Sequence, residues 1–331
     1  MSFLAVAIAL LIEQLKPLPR SNPVHAAMAG WMRWAGQNFN AGRDHDASVV
    51  WLVTVPVPAL FALAIHVALG QLGAALALAW DVAVLYLTLG FRQFSHFFTD
   101  IQLALERGDE MHARSLLQEW RGLDATDLPR DELLRQTMEH ALLAAHRHVF
   151  GVFFCYVLLA AVGCGPAGAV LYRLAEFAHR HWASRANRMG LAQEDHLMQV
   201  SARCFNVIDH VPARLTAVGF AIVGNFEETV NGMRRQAALL GATNESLILA
   251  AAAGAVGVQL GDAARPEVDL GSASAPDDAD SGIESLAGAG SSSGAAVPGV
   301  EHLRSLVGLV WRSVVLWMLL LGLLTLAKWA G

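Results

Sequence analysis

VFGVFFCYVLLAAVGCGPAGAVL, residues 149–171, carries no charged side chain across 23 positions. A helix needs about 20 apolar residues to cross a bilayer. Three more segments have similar apolar character: 48–69, 72–90 and 313–327. Lipid offers backbone amides and carbonyls no partners, so such runs must be helical. The chain therefore reads as an all-α protein, a polytopic integral membrane helical bundle with the lipid bilayer as its solvent.

Composition agrees. The 331 residues are 55% hydrophobic and 16% charged, with a mean hydropathy of +0.42, whereas soluble domains average about 25% charged. The net charge of −6 is unevenly placed and says little about partners. No basic patch interleaved with aromatics points to nucleic acid. Cys155, Cys164 and Cys204 form no CxxC pair, so they read as small apolar fillers and not as a disulfide or zinc framework. The apolar start, SFLAVAIALLI, has no basic residues before it and no small-residue cleavage site after it. It reads as a short retained helix.

The centre of the opening stretch, Gly163-Cys164-Gly165-Pro166-Ala167-Gly168, is a cluster of helix breakers. A single crossing would also leave Arg173, Arg180, Arg185, Arg188 and Arg203 outside the cell, against the positive-inside rule. The spacing predicts instead a re-entrant or hairpin helix pair that returns to the cytoplasmic side. A second hairpin is predicted where only Gly70 and Gln71 separate 48–69 from 72–90, with Pro56 and Pro58 kinking its first arm. Lys16, Arg20, Arg33, Arg43, Arg92, Arg107 and Arg114 flank that hairpin and place its open end in the cytoplasm.

Residues 1–90 thus read as N-terminal transmembrane helices and 91–148 as a cytoplasmic helical cap. The cap breaks at Arg107-Gly108-Asp109 and reopens at Pro129, with Asp131 and Glu132 suiting a helix start. Residues 149–261 hold the membrane hairpin and core. A further helix over 197–224 bends at Pro212, and a small-residue helix covers 247–260. Residues 262–301 carry eight acids against one arginine among Gly, Ser and Ala, the composition of a disordered linker. Residues 302–331 supply a C-terminal transmembrane helix running from about 307 to 328.

Glu139 sits at the mouth of the first arm of the 149–171 hairpin. Arg173 and Glu176 are three apart on its second arm, on one helix face, with His179 a turn further. Facing Glu139, they would form either a polar cluster for an anionic or amide-bearing ligand, or an ion pair holding the arms together. Asp209 lies near the Pro212 kink, where Arg203 or Arg214 could pair with it. Thr243-Asn244-Glu245 opens the small-residue helix, so Asn244 is a ligand contact or a cap. A polar pocket of Glu139, Arg173, Asp209, Arg214 and Asn244 at the cytoplasmic face follows as a hypothesis.

Seven histidines fall between His140 and His210, but the pairs His146/His148 and His179/His181 are two apart and point to different helix faces. No metal site is expected from that spacing. Walker A and GxSxG motifs are absent. The letters of GxGxxG at 163–168 lie in an apolar run with no βαβ context.

Ser201-Ala202-Arg203 followed by Pro212-Ala213-Arg214-Leu215 resembles the CobD/CbiB family of cobalamin-biosynthesis membrane proteins. AAAAGAVGVQLG at 250–261 is similar to that family's AGALGIQLGG, with Asn244 at a family Asn. GPAGAVLYR at 165–173 resembles its GGPPGALAYRA turn, and LALERGDEMHARSLL at 103–117 resembles its L-x-x-GDL-x-x-AR-x-x-L pattern. The ordered set covers most of 90–261. The resemblance implies an adenosylcobinamide-phosphate synthase of the bacterial inner membrane, multi-pass. It would join adenosylcobyric acid, a corrinoid, to aminopropanol phosphate as an amide, with ATP required only on that reading. Glu139 would be catalytic, and Arg173, Glu176, Asp209, Arg214 and Asn244 would bind substrate. Three departures stand out. The family's E-N-x-x-D is Glu139-His140-Ala141-Leu142-Leu143, its NTLDSM is Glu176-Phe177-Ala178-His179-Arg180-His181, and its GRDT is Arg121-Gly122-Leu123-Asp124. HALLAAHRHVFGVFF and DHVPARL are similar to the AmpE branch of the superfamily, which implies a non-enzymatic envelope-signalling or partner-binding alternative. Neither reading gives an oligomeric state.

Overall fold

The computed structural model describes residues 2–15, 23–39, 44–122, 124–190, 195–238, 243–261 and 296–330. Among them lie fourteen α-helices and one π-helical segment: α1 (Ser2–Leu15), α2 (Pro23–Phe39), α3 (Asp44–Thr54), α4 (Pro56–Leu72), α5 (Ala74–Thr88), α6 (Phe91–Glu106), α7 (Glu110–Arg121), α8 (Arg130–Ala145), the π segment (His146–Phe150), α9 (Gly151–Ala160), α10 (Gly165–Met189), α11 (His196–Val223), α12 (Phe226–Ala238), α13 (Asn244–Val256) and α14 (Val300–Ala330). The all-helical expectation holds.

Among the described residues three runs are long and apolar enough to cross a membrane: Asp46–Leu72, Arg130–Ala160 and Val300–Lys328. The most apolar stretch of the second is 67% buried, against 28% and 33% in the other two. Arg130–Ala160 is therefore the central element, and the others turn a face outward. Leu60, Phe61, Leu319 and Leu323 are each more than 60% exposed. An outer surface this apolar marks the membrane-facing belt.

The charge-free stretch bends where its breakers lie. α9 ends at Ala160, Gly163 takes a left-handed φ of 82°, and α10 starts at Gly165 with Pro166 in its first turn. The two arms run antiparallel at close range. A Cβ at Gly168 would stand 2.1 Å from the Cys155 carbonyl, and one at Gly151 would stand 2.0 Å from the Tyr172 ring. Glycine at these two positions is what lets the backbones meet.

Several boundaries differ from the sequence expectation. The first hairpin turns at Gly73; Gly70 and Gln71 are still helical in α4. The first arm of the 149–171 hairpin does not begin at 149, because α8 runs through the π segment into α9 as one 31-residue helix. α14 starts at Val300, seven residues before the expected 307. Most of the acidic linker, 262–295, lies outside the described residues. Its last part is ordered: Ala296 donates to Gly257 O at 2.9 Å and accepts from Gln259 N at 3.1 Å. The Arg107–Asp109 break is as predicted, with Asp109 capping α7 through His112 N and Gly122 closing it in the left-handed region.

Candidate functional site

Three consecutive residues of the π segment reach three different helices. His146 bonds Asp209 on α11, Arg147 pairs with Glu245 on α13, and His148 meets Arg173 on α10. A π-turn widens the helix by one residue and re-aims the side chains around it. The Gly90 N–H donates to the His148 carbonyl at 3.3 Å, tying the start of α6 to the same point.

The deepest group is fully enclosed. His146, Asp209, Tyr172 and Thr216 are each at most 3% exposed. The Asp209 carboxylate accepts from His146 Nε2 at 2.8 Å and from the Tyr172 hydroxyl at 2.7 Å. His146 Nδ1 contacts Thr216 Oγ1 at 2.9 Å. Both ring nitrogens of His146 therefore have a hydrogen-bond partner.

One turn along α10, Glu176 is 0% exposed. Arg173 donates to it at 3.3 Å and Arg180 at 3.1 Å. Arg173 also donates to His148 Nδ1 at 2.6 Å. Burying a carboxylate costs several kcal/mol unless cations attend it, and two guanidiniums do so here. His179 stacks on Phe205 with centroids 5.4 Å apart. Its Nδ1 is buried without a hydrogen-bond partner among the described residues. Arg121, Arg147 and Arg180 all lie near enough to His140 to act on it electrostatically.

The six residues singled out from sequence do not form one pocket. Arg173 and Glu176 meet as expected. Asp209 pairs with neither Arg203 nor Arg214 but with His146 and Tyr172. Arg214 turns back to the His210 carbonyl at 2.9 Å and reaches Asn244 Oδ1 at 3.5 Å. Asn244 is not the cap of α13; Thr243 is, in a capping box with Ser246. Asn244 Nδ2 is instead given to the Asn206 carbonyl at 3.0 Å, bridging α13 to α11. Glu139 does not face Arg173 and Glu176. It sits nine residues before His148 on one continuous helix, roughly 13 Å along its axis. There it accepts from Gly261 N at 2.8 Å and from Arg135 at 3.1 Å, holding the segment after α13.

Sequence reasoning passed over His146, His148, Arg147 and Tyr172 as members of the site. The signal was present: two histidines flank an arginine just before a charge-free run. Ionisable groups at such a boundary face protein, not lipid. Among the described residues no group of three His, Cys, Asp or Glu side chains is placed to hold a metal ion.

The fold and the site define a helical membrane protein whose central helix, interrupted by a π-turn, gathers arginine, histidine and carboxylate side chains from α10, α11 and α13. The family model "CobD/Cbib protein" matches residues 3–276, and the chain belongs to this family. It is similar to the protein named "Cobalamin biosynthesis protein CobD" from Stutzerimonas stutzeri (strain A1501), with 28% identity over 336 residues, 96% of each chain. A protein of the same name from Chromobacterium violaceum is 32% identical over 184 residues, 56% of each. No solved structure matches the chain.

Proposed function

We propose that the chain is an adenosylcobinamide-phosphate synthase-type enzyme, joining adenosylcobyric acid to aminopropanol phosphate as an amide, in the bacterial inner membrane with several crossings. One observation carries this reading: the likeness to a protein named for cobalamin biosynthesis extends along 96% of both chains, so scaffold and site-bearing segments are shared together. The chemistry of the cluster supports it. Both partners of the condensation are anionic, through a phosphate ester and a carboxylate, and Arg147, Arg173 and Arg180 supply guanidiniums suited to such groups.

In this reading the corrinoid carboxyl is activated with ATP as co-substrate. The amine nitrogen then forms the C–N bond, and the activating phosphate leaves and carries off the proton that the amine sheds. Glu139 acts from outside the arginine cluster, by holding the segment after α13 through Gly261 N. Arg173, held by Glu176, and the Asp209 network fix the cluster's shape, while Arg214 and Asn244 form its outer rim. Expression of the wild type should restore growth to a strain lacking the synthase step, and Glu139→Ala should abolish the rescue. Failure of a well-expressed, membrane-inserted wild type to rescue would overturn the reading. A second reading, a non-enzymatic partner-binding protein, is favoured by one feature: Arg173, Arg180 and Arg147 are already paired with Glu176 and Glu245.

A further inference from the structure

α1 and α14 pack antiparallel. Gly322 lies against the Phe3 ring, where a Cβ would stand 3.4 Å away, while Gln14 and Trp311 line one crevice at the other end of the pair. The residue numbers in these two pairs share the same sum, so the two helices stay in register along their length. The crevice between them has a volume of about 340 Å³. Ala7, Leu10, Leu11, Trp311, Val314 and Met318 form its walls, and Gln14 stands at its rim.

The orientation of this crevice follows from α14. Arg304 and Arg312 precede its apolar stretch 313–327, and Lys328 follows it. Cations with an adjacent tryptophan mark the headgroup level of a membrane helix. Trp311 and Arg312, both exposed, therefore stand at the interface, with the Arg312 guanidinium bonded to the Gly308 carbonyl of its own helix. From there the crevice descends to Met318, seven residues or roughly 10 Å along the helix. It opens outward on the surface formed by Leu11, 63% exposed, and Leu319, 63% exposed, which is the surface the bilayer covers.

An apolar crevice at this depth has hydrocarbon as its solvent, and leaving it empty forfeits dispersion contacts along every wall. Its floor is adaptable. Leu10, Val314 and Met318 also wall a narrow gap of about 20 Å³, whose far side is made by Val149 and Phe150 of the π segment. Methionine is unbranched and fits irregular gaps, so an occupant of the crevice presses through Met318 toward the helix that carries His146.

We propose that the α1–α14 crevice is a binding site for one acyl chain of a bilayer phospholipid. The lipid's headgroup lies at Trp311 and Arg312, and its chain runs down to Met318. The site is separate from the polar cluster and does not depend on the synthase reading.

The test uses the full chain in nanodiscs of phosphatidylglycerol and phosphatidylethanolamine, doped with a phospholipid bearing a diazirine midway along one acyl chain. After irradiation, adducts mapped by peptide mass spectrometry should be several-fold richer on the peptides of Leu11 and Met318 than on the lipid-facing peptide of Leu60 and Phe61. Ala7→Trp fills the crevice and should lower the α1 and α14 adducts to the level of the Leu60 peptide. Should Ala7→Trp fail to fold, Leu11→Trp, at an already exposed position, takes its place. Wild-type adducts no richer on α1 and α14 than on the Leu60 peptide would overturn the proposal. So would enrichment that persists in a folded crevice-filling variant.

Discussion

Among the described residues two groups are built from the same three residue types, one fully buried and one with its histidine side chain 24% exposed, and they differ in position and company. One is His146–Asp209–Tyr172. The other is His66–Asp81–Tyr156, where Asp81 Oδ1 meets His66 Nδ1 at 2.7 Å and Oδ2 accepts from the Tyr156 hydroxyl at 3.0 Å. The Gly90–His148 hydrogen bond sets residues 90 and 148 at one level. Asp81 and Tyr156 lie nine and eight residues further along their helices, so the second group is roughly 12 Å deeper. It joins α4, α5 and α9, the walls of the membrane region. The first group sits beside Arg147, His148 and the Arg173–Glu176 pair, and it draws its members from the π segment, α10 and α11. Residue type alone does not decide the role. One triad lies among charged neighbours at a helix irregularity; the other lies at membrane depth, where Ser2 of α1 also bonds Tyr156 and the group fastens the α4–α5 hairpin to α9.

The contrast gives graded expectations. Asp209→Ala should have the largest effect, because it removes the carboxylate shared by the fully enclosed His146 ring and Tyr172 hydroxyl and leaves Nε2 and the hydroxyl only their longer mutual contact at 3.3 Å. Leaving buried polar groups without their partner costs about 1–3 kcal/mol each. Folded yield in detergent and growth rescue should both collapse, and retention of either would show that Asp209 is not the centre of the network. Asp81→Asn should cost less, about 1 kcal/mol, the scale of single interhelical hydrogen bonds in membranes. The amide can still accept from Tyr156 or His66, so the thermal midpoint should fall while rescue persists. Loss of rescue in a normally inserted Asp81→Asn protein would place the deeper triad within the functional apparatus and erase the distinction.

Much of the fold was legible because it rests on local signals. The breaker cluster at 163–168 fixed the turn, Pro129 fixed a helix start, and Arg107-Gly108-Asp109 fixed a break. The pairings were not legible, because they depend on register across long separations. With the first hairpin turned at Gly70–Gln71, residue 66 faces residue 75; with the turn at Gly73, it faces residue 80, next to the Asp81 that His66 bonds. A shift of three residues therefore hides the deeper triad, although an acid and a histidine in apolar runs were both visible. The π segment leaves no signature in sequence at all. Without it, His146, Arg147 and His148 read as boundary residues and not as the point from which the site is organised. Glu139 was placed in the wrong company for the same reason: a helix assumed to begin at 149 gives no rise by which to separate residue 139 from the α10 pair.

The smallest expected effect lies outside both triads, where α6 meets the start of α14. Glu106 accepts from Gln102 at 2.8 Å and from Arg304 at 2.9 Å, and these donors hold its carboxyl below the usual glutamate range. A depressed carboxylate adds stability that is present above its unfolded-state pKa and fades as pH falls through the folded value. The pair is open to solvent, so salt screens it. Arg304→Ala should therefore lower the thermal midpoint slightly at neutral pH and low salt. The difference from wild type should vanish both below the glutamate range and in high salt. A difference that grows on acidification would reverse the sign of the argument. A deficit insensitive to salt would mean that Arg304 acts through packing of its stem against α6, and that this junction belongs with the buried groups and not with the screened surface.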